Sequence, residues 1–206
     1  MGKLIITSGG YLDGQRGEEL DQRIEELSAK KKVLIVTNAT STGSKVKGVP
    51  IIKENFEQVA DVVDLIHITE ENVDQIKNYD VIYFTGGDMA PLGEIVTERI
   101  KDALINFLSN NGVIIGESAG SIIFGEDFKW YYDLKRGTKP KYDIELPSYK
   151  GFGLIDENIY PHYNKANEEQ KRKIESYEKQ KSVDISKMND GEWFEETFLN
   201  NNIDLI

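Results

Sequence analysis

The chain has no cysteine and only two histidines, and its 25 basic residues are outnumbered by 36 acidic ones, for a net charge of −11. Without cysteine there are no disulfides, no thiolate metal sites and no cysteine-nucleophile mechanism. The shortage of positive charge argues against nucleic acid, or an anionic membrane surface, as the main partner. Long hydrophobic runs are missing too. Met1-Gly2-Lys3 leads only into Leu4-Ile5-Ile6, shorter than the apolar region of a signal peptide, and no stretch approaches a membrane span. A soluble, cytoplasmic protein is the expectation. No histidine pairs with another, or with a carboxylate, at ligand spacing, so no metal and no cofactor is expected. A phosphate loop of the G-x-x-x-x-G-K-[ST] type is also absent, and Gly86-Gly87-Asp88 is too short for a dinucleotide fingerprint.

What is present is an alternation. Residues 3–7, 32–37, 62–66, 80–84 and 113–115 are short, β-branched, nearly continuous apolar runs bounded by Gly, Asn or Asp, which reads as buried strands. Between them the spacing predicts helices near residues 17–30, 51–60, 70–78 and 91–110. Leu20, Ile24 and Leu27 recur at helical spacing, as do Ile100, Leu104 and Leu108. Such an order implies an α/β fold, a doubly wound and mostly parallel sheet with helices on both faces. At 206 residues, with no internal repeat and no dividing linker, one domain over 1–206 is expected. Residues 126–150 read as irregular, 165–181 as an exposed charged helix, and the last fifteen as a terminal hairpin.

The chemistry gathers at Gly116-Glu117-Ser118-Ala119-Gly120, directly after the run Val113-Ile114-Ile115. A side chain thrust from a sharp strand-to-helix turn crowds the residues two places away, where glycine fits. The Ala119 N–H then points beside the serine oxygen, and the following helix directs its positive end there. On composition alone roughly one chain in twenty of this length would carry a G-x-S-x-G, so the preceding strand and the α/β context give it weight. Serine needs a base. His67 ends a strand and reads as structural. His162, in Tyr160-Pro161-His162-Tyr163, follows the serine by 44 positions. The acid that would orient it cannot be chosen by chemistry among so many carboxylates.

Phe84-Thr85-Gly86-Gly87-Asp88, the elbow with Ser121, and Pro161-His162-Tyr163, taken in order, resemble the peptidase E (alpha-aspartyl dipeptidase) family of serine peptidases, to which the cyanophycinases are related. The resemblance runs from about residue 1 to residue 193. It implies a flavodoxin-like fold similar to the class I glutamine amidotransferases, with serine in place of their cysteine. It further implies hydrolysis of small peptides through an acyl-enzyme, with aspartyl dipeptides as candidate substrates and a monomer or homodimer as the assembly. On the matching positions it makes Ser118 the nucleophile, His162 the base, and Gly87 and Ala119 the oxyanion-hole donors. For the acid it points two ways, to Asp133, fifteen residues after the serine, and to Asp190 in Asn189-Asp190-Gly191-Glu192-Trp193. Asp133 is favoured.

The chain departs from that pattern where aspartyl-dipeptide members carry a substrate-reading arginine, since Glu168-Glu169-Gln170-Lys171-Arg172 offers no clear match. A basic segment after the elbow, Lys129 to Lys141, supplies Arg136 as the candidate reader of a substrate carboxylate. Two other readings share the elbow: an α/β-hydrolase-type esterase, and a non-catalytic module of the same fold that binds a small molecule.

Overall fold

The computed structural model describes residues 1–11, 17–40, 48–134 and 146–199. Five parallel strands form its centre: β1 (Gly2–Thr7), β2 (Lys32–Val36), β3 (Val62–Ile66), β4 (Val81–Phe84) and β5 (Val113–Glu117). With β8 (Trp193–Phe198) they make a six-stranded sheet in the order β3-β2-β4-β5-β1-β8, and β8 runs antiparallel to β1. The α/β expectation is therefore borne out. The strands are almost wholly buried where they are central, as the continuous apolar runs require of a sheet covered on both faces.

Alternation sends successive side chains to opposite faces. Ile115 and Val113 of β5 join Ile5, Ile35 and Tyr83 in one core, against Leu20 and Ile24 of α1 (Glu18–Ser28) and Ile52 and Phe56 of α2 (Gly48–Glu57). Ile114 joins Leu4, Leu34 and Phe84 in the other core, against α3 (Met89–Gly93), α4 (Glu98–Ser109) and α5 (Ala119–Ile122). The run expected as one helix over 91–110 is thus two. Thr97 explains the break: it caps α4 by accepting the Ile100 N–H, while extended backbone at Thr97 ends the preceding turn. The expected helix over 70–78 is a 3-10 helix at Val73–Asn78.

Past the elbow, α6 (Lys129–Leu134) stands in the stretch that reads as irregular. A small parallel pair, β6 (Asn158–Tyr160) and β7 (Ile185–Lys187), brackets α7 (Glu168–Lys181), whose capping box is built by Asn167 and Gln170. Of the expected terminal hairpin, residues 200–206 lie outside the described residues; the stretch before them is β8, which pairs with β1. Its charges are used in doing so. Glu195 accepts from Lys3 on β1 and from Arg23 on α1, with 2.7 Å to Arg23 Nη2. Among the described residues no helix is long and apolar enough to cross a membrane.

Candidate active site

β5 ends at Glu117 and α5 starts at Ala119, so Ser118 occupies the whole turn between them. Its backbone has φ 51° and ψ −111°, a conformation that L residues avoid and that a strained elbow imposes. The surroundings hold it there. A Cβ on Gly116 would come within 2.6 Å of the Gly120 carbonyl oxygen, and one on Gly120 within 2.4 Å of the Phe84 carbonyl oxygen. Both contacts are with backbone, so glycine is required at the two flanking positions. The Ser118 N–H donates to Thr7 O at 3.1 Å. Buried Ser121 closes the turn from behind, its Oγ lying 2.8 Å from Thr7 O and 2.6 Å from Gly116 O while accepting the Thr7 N–H.

His162 reaches the serine from the loop after β6, with Nε2 3.0 Å from Ser118 Oγ. It too has a left-handed backbone, φ 57° and ψ 33°. Ser8, fully buried just after β1, accepts the His162 N–H at 2.7 Å and donates to Met188 O. Met188 O also accepts the Tyr163 N–H. The histidine is therefore fastened on both sides to elements far from it in sequence.

The other ring nitrogen, Nδ1, lies 2.5 Å from Asp190 Oδ1. Asp133, the acid favoured from sequence, is elsewhere: on α6, its Oδ1 is 2.7 Å from Lys129 Nζ and its Oδ2 accepts from Tyr177 on α7. That expectation is corrected in favour of Asp190 as the carboxylate on the histidine. The position that the resemblance favoured lies on α6, whose partner is α7, whereas the turn after β7 folds Asp190 back over the ring. Lys165 Nζ is 2.8 Å from Asp190 Oδ2, and Asn164 Oδ1 accepts the Asp190 N–H at 3.0 Å. Burial alone would push the Asp190 pKa up; the Lys165 and His162 contacts outweigh it and hold the carboxyl below its ordinary range.

On the other side of Ser118 stands Gly87, with φ 147° and no space for a Cβ, which would fall 2.5 Å from Ala39 O. Its neighbours are tied down: the Asp88 N–H donates to Ala39 O at 2.8 Å and the Thr85 N–H to Val36 O. Among the described residues, neither the Gly87 nor the Ala119 N–H donates to a protein acceptor. The expected contribution of a helix end shrinks, because α5 spans only four residues. What remains beside the serine oxygen is two individual amide donors.

Gly87, Ser118, Ala119 and His162 open into one pocket of about 700 Å³. Its walls are Ile122, Trp130, Tyr131, Leu134, Tyr160 and Ile174, with Lys165, Gln170 and Lys173 as the polar contributors. From the segment that departs from the family pattern, Gln170 lines this pocket and Arg172 does not. Arg136 lies outside the described residues. His67 is exposed at the edge strand, where its carbonyl accepts from Asn72. Sequence reasoning missed Ser8, Asn164 and Lys165; the signal for Ser8 was its place immediately after the first strand, at the sheet end that carries the elbow.

The sequence model of peptidase family S51 matches residues 4–197. Peptidase E of Nostoc sp. (strain PCC 7120 / SAG 25.82 / UTEX 2576) is 28% identical over 140 residues, covering 68% of this chain and 55% of that protein. The match thus spans about half the length of that relative. A Listeria monocytogenes EGD-e protein assigned provisionally to peptidase E superposes with a TM-score of 0.70 at 18% identity, over 96% of this chain and 99% of the other. A peptidase from an acI-B1 actinobacterium gives 0.66 at 16%, over 96% and 84%. At those identities the two structures speak to the fold, which they share with this chain.

Proposed function

The chain belongs to peptidase family S51, and from that premise we propose that it is a serine peptidase cleaving amide bonds of small peptides through an acyl-enzyme. Ser118 is the nucleophile, His162 the base, and Asp190 the acid that orients it; the Gly87 and Ala119 N–H groups form the oxyanion hole. One observation carries the reading: the unbroken line Ser118 Oγ to His162 Nε2 at 3.0 Å and His162 Nδ1 to Asp190 Oδ1 at 2.5 Å.

The steps follow from who can donate. Asp190, kept ionised, accepts the Nδ1 proton and leaves Nε2 free to take the serine proton as Oγ attacks the scissile carbonyl. Negative charge then develops on the carbonyl oxygen, within reach of two N–H groups that have no protein acceptor to give up. Collapse breaks the C–N bond, and the proton on Nε2 passes to the leaving amine. Water, deprotonated by the same nitrogen, releases the acyl group from Ser118. The pocket offers an apolar and aromatic wall for a side chain, and it contains lysines but no carboxylate among its described lining. Short peptides are the substrate class, with aspartyl dipeptides as the first candidates. A dipeptide-library screen beside Ser118→Ala tests this: turnover of one or more dipeptides that vanishes in the variant supports it, and turnover surviving the substitution contradicts it.

A further inference from the structure

The residue inside the elbow motif has no part in the chemistry above, yet it is a carboxylic acid buried under the nucleophile. Glu117 is 5% exposed. Strand alternation turns it away from Ser118 towards the core that holds Tyr83 and Tyr11. There Oε2 accepts the Tyr83 hydroxyl at 2.8 Å, and the same hydroxyl oxygen accepts the Tyr11 N–H at 2.8 Å. Gly86, on the loop after β4, lies against the carboxyl's other oxygen. Two glycines from separate loops make its slot. A Cβ on Gly10 would fall 1.9 Å from Glu117 Cδ, and one on Gly86 would be 3.2 Å from Oε1 and 3.1 Å from Ser118 Cβ.

Gly86 precedes the oxyanion donor. On the far side of Gly87 the Asp88 N–H is fixed to Ala39 O; on the near side Gly86 is packed between the Glu117 carboxyl and Ser118. We infer that Glu117 is a positioning residue for the oxyanion hole: its carboxyl, held by the Tyr83 hydroxyl, seats Gly86 against the base of the elbow, so that the Gly87 N–H is aimed at the site where charge develops on a carbonyl bound at Ser118. This rests on the proposed roles of Ser118 and Gly87. Its physical basis is that a donor acts on the transition state only if held in place beforehand. Losing one such donor costs about 10²–10³ in rate, and a misplacement of about 1 Å about 10².

Glu117→Met keeps the side chain's length and removes the acceptor; Glu117→Gln keeps an acceptor oxygen. The readouts are kcat and KM for a cleaved dipeptide, the affinity of a dipeptidyl boronic acid, which forms a tetrahedral adduct on serine, and the affinity of a product amino acid. Glu117→Met is expected to lower kcat and boronate affinity together, by about 10- to 100-fold, with KM and product affinity within about threefold. Glu117→Gln is expected to stay within about fivefold of wild type throughout. A merely structural residue would move the melting temperature without singling out the tetrahedral adduct. Folded Glu117→Met with wild-type boronate affinity overturns the inference. Should that variant fail to fold, Tyr83→Phe takes its place, since it frees one carboxyl oxygen; it must weaken the boronate more than Glu117→Gln does, and the reverse order overturns the inference. Boronate adduct formation in wild type and its loss in Ser118→Ala are measured first. If either is missing, the nucleophile assignment falls and takes this inference with it, whereas a failure at Glu117 alone leaves the nucleophile standing.

Discussion

Asp190→Asn is the most discriminating substitution, because the structure says which way the new amide will turn. In the wild type one carboxylate oxygen faces His162 Nδ1 at 2.5 Å and the other faces Lys165 Nζ at 2.8 Å. An asparagine has only one acceptor oxygen to share between those neighbours. Lys165 can only donate, so the amide oxygen goes to it and the amide NH₂ meets Nδ1. The ring must then carry its proton on Nε2, where it faces Ser118 as a donor and cannot accept the serine proton. A wrong-tautomer triad of this kind loses about 10⁴ in kcat. Asp133→Asn, whose neighbours are Lys129 and Tyr177, should stay within about threefold. The same geometry makes a second, less obvious demand. Lys165→Met in the Asp190→Asn background removes the donor that captured the oxygen, lets the amide turn, and should recover at least about tenfold in kcat, although Lys165→Met alone gains nothing. Steady-state kinetics on one cleaved dipeptide, with the single and double variants side by side, measures all of this. Asp190→Asn within tenfold of wild type, or a double variant no better than Asp190→Asn, would refute the reasoning.

Other outcomes follow from the same contacts. Ser8→Ala removes the acceptor of the His162 N–H, and should lower kcat about tenfold or more while KM for the dipeptide hardly moves. Gly120→Ala forces a Cβ to 2.4 Å from the Phe84 carbonyl; a loss of about 2–3 kcal/mol, or about 5–10 °C in calorimetry, is expected. Burial pushes the Glu117 pKa up, against the smaller pull of Tyr83 and Gly86. The folded chain therefore holds a proton that the unfolded chain releases as pH rises past the ordinary glutamate range, so this residue's contribution to stability falls with rising pH through that window. Urea midpoints across pH should show wild type losing ground relative to Glu117→Gln as pH rises, and parallel curves would contradict it.

How much of this was legible beforehand differs by residue. The central strands were, because a sheet covered on both faces needs runs such as Val33–Val36 and Val113–Ile115 that are apolar at every position. The elbow was legible because its glycines stand at fixed offsets from the serine: Gly116 is forced by the Gly120 carbonyl within the turn, and Gly120 by the Phe84 carbonyl of the neighbouring strand. The pairing of β8 with β1 was not, since Trp193–Phe198 carries two glutamates and reads as part of a terminal hairpin until Lys3 and Arg23 are seen to receive Glu195. The orienting acid was not either. It depends on a turn that brings residue 190 back over residue 162, and distance along the chain from Ser118 carries no information about that. Ser8 escaped notice because a buried serine and a solvated one look alike until the backbone N–H it serves is known.

The central claim is that Ser118 attacks the substrate, with His162 as its base. A fluorophosphonate probe followed by intact-mass and peptide mapping tests it most directly. The account predicts one adduct per chain, carried by Ser118, formed together with loss of dipeptide turnover and abolished in Ser118→Ala and slowed by orders of magnitude in His162→Ala. An adduct on another residue, or full turnover by a chain whose Ser118 is modified, would contradict it.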